Sequence, residues 1–167
     1  YMFGIGATEM LGVVTTGEIW LKVPQTIFMR WSGRLCDGVS AKDMMVAMIG
    51  RFGLSGGGYQ AVEFCGEAVT ALSMAERMTL ANMSAELGAQ VGLVAPDETT
   101  QQWLQGAGVS LRAEDLAPWC SDANAPGVRH AFDASALAPQ VALPHSPANV
   151  RAVGELPHTP IQVAYIG

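Results

Sequence analysis

Asn82 and Glu86 are the residues of this chain whose types and spacing suit chemistry best. They stand four apart in Ser73-Met-Ala-Glu-Arg-Met-Thr-Leu-Ala-Asn-Met-Ser-Ala-Glu-Leu-Gly-Ala-Gln90. In a helix that spacing projects both side chains to the same side. Burying them on an otherwise apolar helix without a use or a partner would be costly.

The surrounding residues predict the helix that positions the pair. Ser73 and Glu76 have capping-box spacing, which starts a helix, and Gly88 suits the left-handed residue that ends one. Met74, Met78, Ala81 and Ala85 form an apolar stripe at helical spacing. The expectation is therefore one helix over 73–90, capped at both ends.

Other candidate motifs fail on their spacing. Gly4-Ile5-Gly6 is followed by Glu9 where a dinucleotide fingerprint needs its third glycine. Ser55-Gly56-Gly57-Gly58 lacks the Lys-Ser/Thr of a phosphate loop, and reads as a flexible turn before a strand. His130, His145 and His158 are scattered, and none pairs with an acid or thiol at ligand spacing. No serine lies in a nucleophile-elbow motif.

The wider pattern alternates strands and helices. Residues 7–20 read as a helix with Thr8 as cap, and Pro24 marks a boundary. Gln25–Trp31 alternates as a strand, and Asp37-Gly38 turns the chain into a helix over 41–49, capped by Ser40 with Asp43 and closed by Gly50. A second strand follows at Tyr59–Phe64, a third at Val91–Ala95, and Asp97 caps a helix over 98–105 closed by Gly106. Beyond Ala113 prolines recur, and only Val128–Ala134 and Val141–Leu143 look strand-like. The alternation predicts an α/β fold, a mostly parallel sheet with helices packed on it.

Composition narrows the function classes. The 167 residues are 50% hydrophobic and only 14% charged, which suits a chain that buries surface against other parts of a larger protein. The net charge of −6 argues against nucleic acid or an anionic membrane as a partner. No apolar run approaches the roughly 20 residues of a membrane span, and the start does not read as a signal peptide. Cys36, Cys65 and Cys120 are odd in number and widely spaced, as in a reduced, cytoplasmic protein. The chain starts at Tyr1 and stops at Ile161-Gln-Val-Ala-Tyr-Ile-Gly167, which reads as a strand and its turn glycine, so an internal segment of a longer polypeptide is expected.

Six segments, in order, carry a resemblance: Thr15-Thr-Gly-Glu-Ile-Trp-Leu-Lys-Val-Pro24; Val39-Ser-Ala-Lys-Asp43; Val62-Glu-Phe64 with Gly66; Leu72-Ser-Met74; Arg77-Met-Thr79 with Asn82-Met83 and Glu86; and Ala95-Pro-Asp-Glu-Thr-Thr100. The chain resembles the large subunit of the aconitase/3-isopropylmalate dehydratase family of iron–sulfur hydro-lyases over nearly its whole length. The branch with a separate small subunit looks closer than the single-chain aconitases. The resemblance implies a three-layer α/β/α fold: residues 1–23 end a first domain, 24–150 form a second, and 151–167 are a linker and the first strand of a third. It implies that Asn82 and Glu86 belong to the active site, beside a [4Fe-4S] cluster.

The family's cluster cysteines and its Asp-Ser-His base segment have no counterpart among these residues. Cys36, Cys65 and Cys120 match none of the ligand positions, so no cofactor- or metal-binding residue is expected within the chain, and the fragment alone is expected to be inactive. Leu80-Ala81-Asn82 stands where Ile-Cys-Asn is common, and glycine stands where threonine is usual in 55–58. The implied substrate is a hydroxy di- or tricarboxylic acid, 3-isopropylmalate first. Homoaconitate, 2,3-dimethylmalate and citrate are alternatives, as is a non-catalytic domain of the same fold. The implied partner is a small, swivel-domain subunit.

Overall fold

Four parallel strands make the frame. The computed structural model describes residues 2, 3 and 5–165. The order is β1 (Met2–Phe3), α1 (Ala7–Thr16), β2 (Thr26–Ser32), α2 (Ala41–Phe52), β3 (Ala61–Cys65), α3 (Glu67–Thr70), α4 (Met74–Met83), β4 (Val91–Val94), α5 (Glu98–Gly106), α6 (Ala113–Leu116), β5 (Val128–Asp133), β6 (Gln140–Ala142) and β7 (Val150–Ala152). In the main sheet the strands run β1-β4-β3-β2-β5. β2 to β5 are mutually parallel, and β1 lies antiparallel on the edge of β4. β6 and β7 form a separate antiparallel pair.

Period-2 alternation divides the sheet into two faces. Ile27, Met29, Trp31, Val62 and Phe64 point to one face and meet Met44, Met45, Met48 and Ile49 of α2 with Leu80 of α4 in the main core. Trp31 stacks on Phe132 with ring centroids 4.5 Å apart. The opposite face carries Phe28, Glu63 and Arg129, and is covered in part by the segment after α6, whose Ser121 hydroxyl donates to Glu63 at 2.5 Å. Helices and chain on both sides of a mostly parallel sheet are the α/β arrangement the alternation predicted.

Several boundaries differ from expectation, each for a local reason. α1 begins at residue 7 as expected, but its N-cap is Gly6 rather than Thr8, with the Gly6 amide donating to the Glu9 carboxylate at 2.7 Å; the helix stops at left-handed Gly17 rather than at 20. α2 runs through Gly50 to Phe52, since Gly50 packs against Val150 without needing a left-handed backbone. α5 continues through Gly106, and the chain turns at Gly108 instead. The strand expected over 161–167 is absent from residues 161–165, where Ile161, Val163 and Tyr165 are exposed and no neighbouring strand offers hydrogen bonds; 166 and 167 lie outside the described residues. β1 and β7 are strands the sequence reading did not anticipate.

Asp43 shows how the cap ties distant elements. Its carboxylate accepts from the Ser40 amide and hydroxyl, both at 2.8 Å, and from the Gln140 amide at 2.7 Å. Burial pushes this carboxyl up, but the bonds from Gln140 and Ser40 outweigh it and hold it below the usual aspartate range. One side chain thus starts α2 and holds the β6–β7 pair against it.

Candidate functional site

α4 sits directly on β4 because Gly92 has no side chain. A Cβ there would collide with the Ser84 hydroxyl and the Ala81 carbonyl, and would lie 2.7 Å from the Ala81 Cα. The face of α4 turned to the sheet and α2 carries Arg77, Leu80, Ala81 and Ser84, all buried, with Leu87 continuing it beyond the helix. This is not the methionine stripe expected from the sequence. Met74 is half-buried, Met78 and Ala85 are exposed, and Met74, Met78 and Ala81 instead flank an apolar groove of about 570 Å³ closed by Val94, Leu104 and Leu116.

The helix start agrees with expectation. The Ser73 hydroxyl accepts from the Glu76 amide at 3.4 Å, and the Glu76 carboxylate accepts from the Ser73 amide at 2.9 Å. The end does not. α4 stops at Met83, and residues 84–88 wind more tightly, with Ala85 and Glu86 amides donating three residues back to Asn82 and Met83. Gly88 is left-handed, φ +80, but closes this turn rather than the helix. The reason is tertiary. The Leu87 and Gly88 carbonyls accept from the Gly57 and Tyr59 amides, each at 2.8 Å, so they are engaged by the loop before β3.

Asn82 therefore lies in the last turn of α4 and Glu86 three residues past its end. Tighter winding places three residues per turn instead of 3.6, so Glu86 is rotated further from Asn82 than a straight helix would put it. Both side chains are exposed, and neither has a hydrogen-bond or ion-pair partner among the described residues. The other polar side chains between Ser73 and Ser84 are consumed. Ser84 bonds back to the Leu80 carbonyl at 3.0 Å. Arg77, 2% exposed, gives Asp97 a bidentate pair at 2.5 and 2.8 Å and also donates to the Leu72 and Thr70 carbonyls.

Asp97 completes this junction. Burial pushes its carboxyl up, but the Arg77 hydrogen bonds and charge, with the Thr100 amide, prevail and hold it below the usual aspartate range. It caps α5 as expected, accepting from the Thr100 amide at 3.3 Å. The Arg77-Met-Thr and Pro-Asp-Glu-Thr-Thr segments, twenty residues apart, are thus the two halves of one ion pair.

The position of the pair in the sheet is informative. α4 leads from the carboxyl end of β3 to the amino end of β4, so Asn82 and Glu86 lie at the amino edge of the parallel strands. Ligands of open α/β sheets more often gather at the opposite edge, where the strand order switches, here between β2 and β5. That crevice is laced shut: Ser32 donates to the Phe132 carbonyl at 3.0 Å, the Arg34 amide to the Ser135 hydroxyl at 3.2 Å, and the Ser135 amide to Asp133 at 2.9 Å.

Sequence reasoning passed over two features. Glu63 is a 7% exposed carboxylate in the middle of β3. Its signal was a charge inside the apolar run Ala61–Cys65. Beside it, burial and then the Glu63 charge push the Cys65 thiol up, against the opposing charges of Arg30 and Arg129. The second feature is the glycine cluster 56–58, which is packed rather than flexible: a Cβ on Gly57 would lie 2.5 Å from the Ala89 amide nitrogen and 2.7 Å from its Cα.

The residues present do not assemble a metal centre. No three His, Cys, Asp or Glu side chains converge among the described residues. Cys36 and Cys120 turn to backbone carbonyls, the former to Ser135 and the latter to Pro96 and Leu116, while Cys65 lies on β3. These thiols form no ligand set for an iron–sulfur cluster. Nor is any helix of the described residues long and apolar enough to cross a membrane.

Fold and site together define an α/β domain that presents an unpartnered amide and carboxylate at one edge of its sheet. The aconitase family (aconitate hydratase) matches residues 2–164, and the chain belongs to that family. It is 42% identical over 165 residues to the probable methanogen homoaconitase large subunit of Methanosarcina mazei, covering 98% of this chain and 41% of that one. It is 41% identical over 165 residues to the 3-isopropylmalate dehydratase large subunit of Moorella thermoacetica, and 42% identical over 166 residues to that of Halothermothrix orenii, each match covering 98% of this chain and 38% of the relative. The chain thus spans about two fifths of the length of the curated relatives it matches.

Proposed function

We propose that these residues are the part of a hydro-lyase large subunit that brings Asn82 and Glu86 to the substrate, and that the complete protein dehydrates and rehydrates a hydroxy di- or tricarboxylic acid. The observation that carries this reading is the contrast within one segment. Arg77, Ser84, Ser73 and Glu76 are all tied to protein partners, whereas Asn82 and Glu86 alone of its polar side chains reach outward from a rigidly seated helix end. Family membership supports the reaction class.

In this reading Glu86 holds or moves the proton of the hydroxyl that is lost or added, and Asn82 orients that hydroxyl through its amide. The [4Fe-4S] cluster, which in the complete protein would polarise that hydroxyl and a substrate carboxylate, belongs to segments outside this chain. Residues 1–23 end one domain, 24–150 form the next and 151–167 lead toward a third. The exposure of α1 and of 161–165, against the buried core between them, supports that division, while β1 joins the main sheet by pairing with the edge of β4. A small subunit completes the enzyme, as the words "large subunit" in the relatives' names suggest, and the assembly works in the cytoplasm.

3-Isopropylmalate is the first substrate, which places the enzyme in leucine biosynthesis, and homoaconitate the second; relatives of both names match over the same residues. Turnover of 3-isopropylmalate, homoaconitate, 2,3-dimethylmalate and citrate by the full-length protein, reconstituted anaerobically with its small subunit, tests this reading. Lack of turnover with all four acids would overturn it.

A further inference from the structure

We propose that Gly57 is a positioning residue for Glu86: the glycine loop before β3 grips the turn that carries this carboxylate and sets where it stands. The inference rests on the reading of Glu86 as an active-site residue. Three hydrogen bonds make the grip. The Gly57 amide donates to Leu87 at 2.8 Å, the Tyr59 amide to Gly88 at 2.8 Å, and the Gln90 amide to Gln60 at 2.9 Å. They run on into the parallel pairing of Ala61 with Val91, so the β3–β4 ladder continues past its strands to within one residue of Glu86.

Close approach requires that one side of this contact lack a side chain. At Gly57 a Cβ would fall 2.5, 2.7 and 2.8 Å from the N, Cα and Cβ of Ala89. The first two are backbone atoms just ahead of β4 and the third is a methyl group with no rotamer to turn away, so none can swing aside as a flexible side chain would. On the inner side the same turn is fixed by Leu87, fully buried, and by Ser84, 1% exposed, whose carbonyl accepts from the Ala89 amide at 3.0 Å. Glu86 is therefore exposed at its tip while its backbone is clamped from two sides. In addition, Tyr59 holds a left-handed backbone, φ +55, which a tyrosine rarely adopts. The surrounding bonds impose that conformation.

A methyl group at Gly57 must push the turn outward. Misplacing a reacting group by about 1 Å can cost 10²-fold in rate. The test is a double-variant cycle in the full-length, cluster-loaded enzyme with its small subunit: wild type, Gly57→Ala, Glu86→Gln and the double variant. Expected are a drop in kcat of about 10- to 100-fold for Gly57→Ala with KM changed less than threefold, and no further drop when Glu86 is already Gln. As a control for backbone strain, Gly108→Ala, at a left-handed glycine with open space around it, lowers the melting temperature and leaves kcat unchanged.

Should Gly57→Ala fail to assemble, Gly58→Ala replaces it: a Cβ there meets only the flexible end of Gln60, 3.0 Å away, and the cost of its left-handed backbone, φ +51, is read separately from the left-handed Gly108→Ala control; a smaller kcat loss that vanishes in the Glu86→Gln background is expected. Losses that multiply, or wild-type kcat in the glycine variant, overturn the positioning role while leaving Glu86 in the site. Wild-type turnover by Glu86→Gln overturns the site reading, and the positioning role with it.

Discussion

Glu86 and Asn82 can be separated from the stability of the domain, because neither side chain contributes a contact the fold depends on. Glu86→Gln and Asn82→Ala are expected to lower kcat of the complete enzyme by about 10²- to 10⁴-fold, the usual contribution of a positioned proton-handling group. Their melting curves should stay within about 0.5 kcal/mol of wild type, as for surface substitutions elsewhere. Arg77 and Asp97 should behave in the opposite way. Asp97→Asn leaves a buried guanidinium short of its counter-charge, which typically costs about 3 kcal/mol or more. The lower end of that range applies here, since the Asp97 side chain is 35% exposed. Denaturant unfolding of the two variants measures the contrast. Residue types and spacing drew attention to Asn82 and Glu86, although the helix assumed to carry both stops at Met83, ahead of Glu86. The Arg77–Asp97 pair was not legible in the same way, because its partners are twenty residues apart and only the fold joins them.

Elements were legible where their signals are local. Ser73 with Glu76, Ser40 with Asp43 and Asp97 with Thr100 each start a helix within four residues, and all three helices begin where those caps sit. Removing the Ser73 hydroxyl by Ser73→Ala is expected to cost about 1 kcal/mol in thermal unfolding, the typical value for a lost N-cap. Helix ends were read less well. Gly50 looked like a stop, yet α2 runs on to Phe52, whereas α5 does end with Gly106, its left-handed turn following at Gly108. The end of α4 was misread for a tertiary reason. Leu87 and Gly88 spend their carbonyls on the loop at 57–59, a contact that no window of neighbouring residues contains. The same distance hid the rigidity of the glycine cluster, and the strand at 161–167 had a strand-like sequence but no partner to pair with among residues 161–165.

At the scale of the whole molecule, the mostly parallel sheet followed from the alternation of strands and helices, while strand order did not, because the return of β5 to the far side of β2 depends on tertiary packing. Acid sensitivity belongs to this scale. Asp43 joins α2 to the β6–β7 pair and Asp97 joins α4 to α5, and the folded state holds both carboxyls below their ordinary values. The native state thus binds fewer protons than the unfolded state, so stability rises with pH across the range between the two values. The contribution is complete above about pH 5 and is lost as pH falls through about 4 toward the depressed native values. Unfolding followed between pH 6 and 3 should show this loss, and the double variant Asp43→Asn with Asp97→Asn should flatten it from a lower plateau. Arg112 with Asp115 is an exposed pair and should add little. Finally, the absence of a side chain at Gly92 makes α4 and β4 a single mechanical part. At that point helix backbone rests on strand backbone with no side chain between to roll or slide upon, so the main chain just before Asn82 is held to the sheet. Under the proposed function, any movement that admits the acid and closes over it would therefore come from something that travels toward this edge, with the edge itself as the fixed jaw.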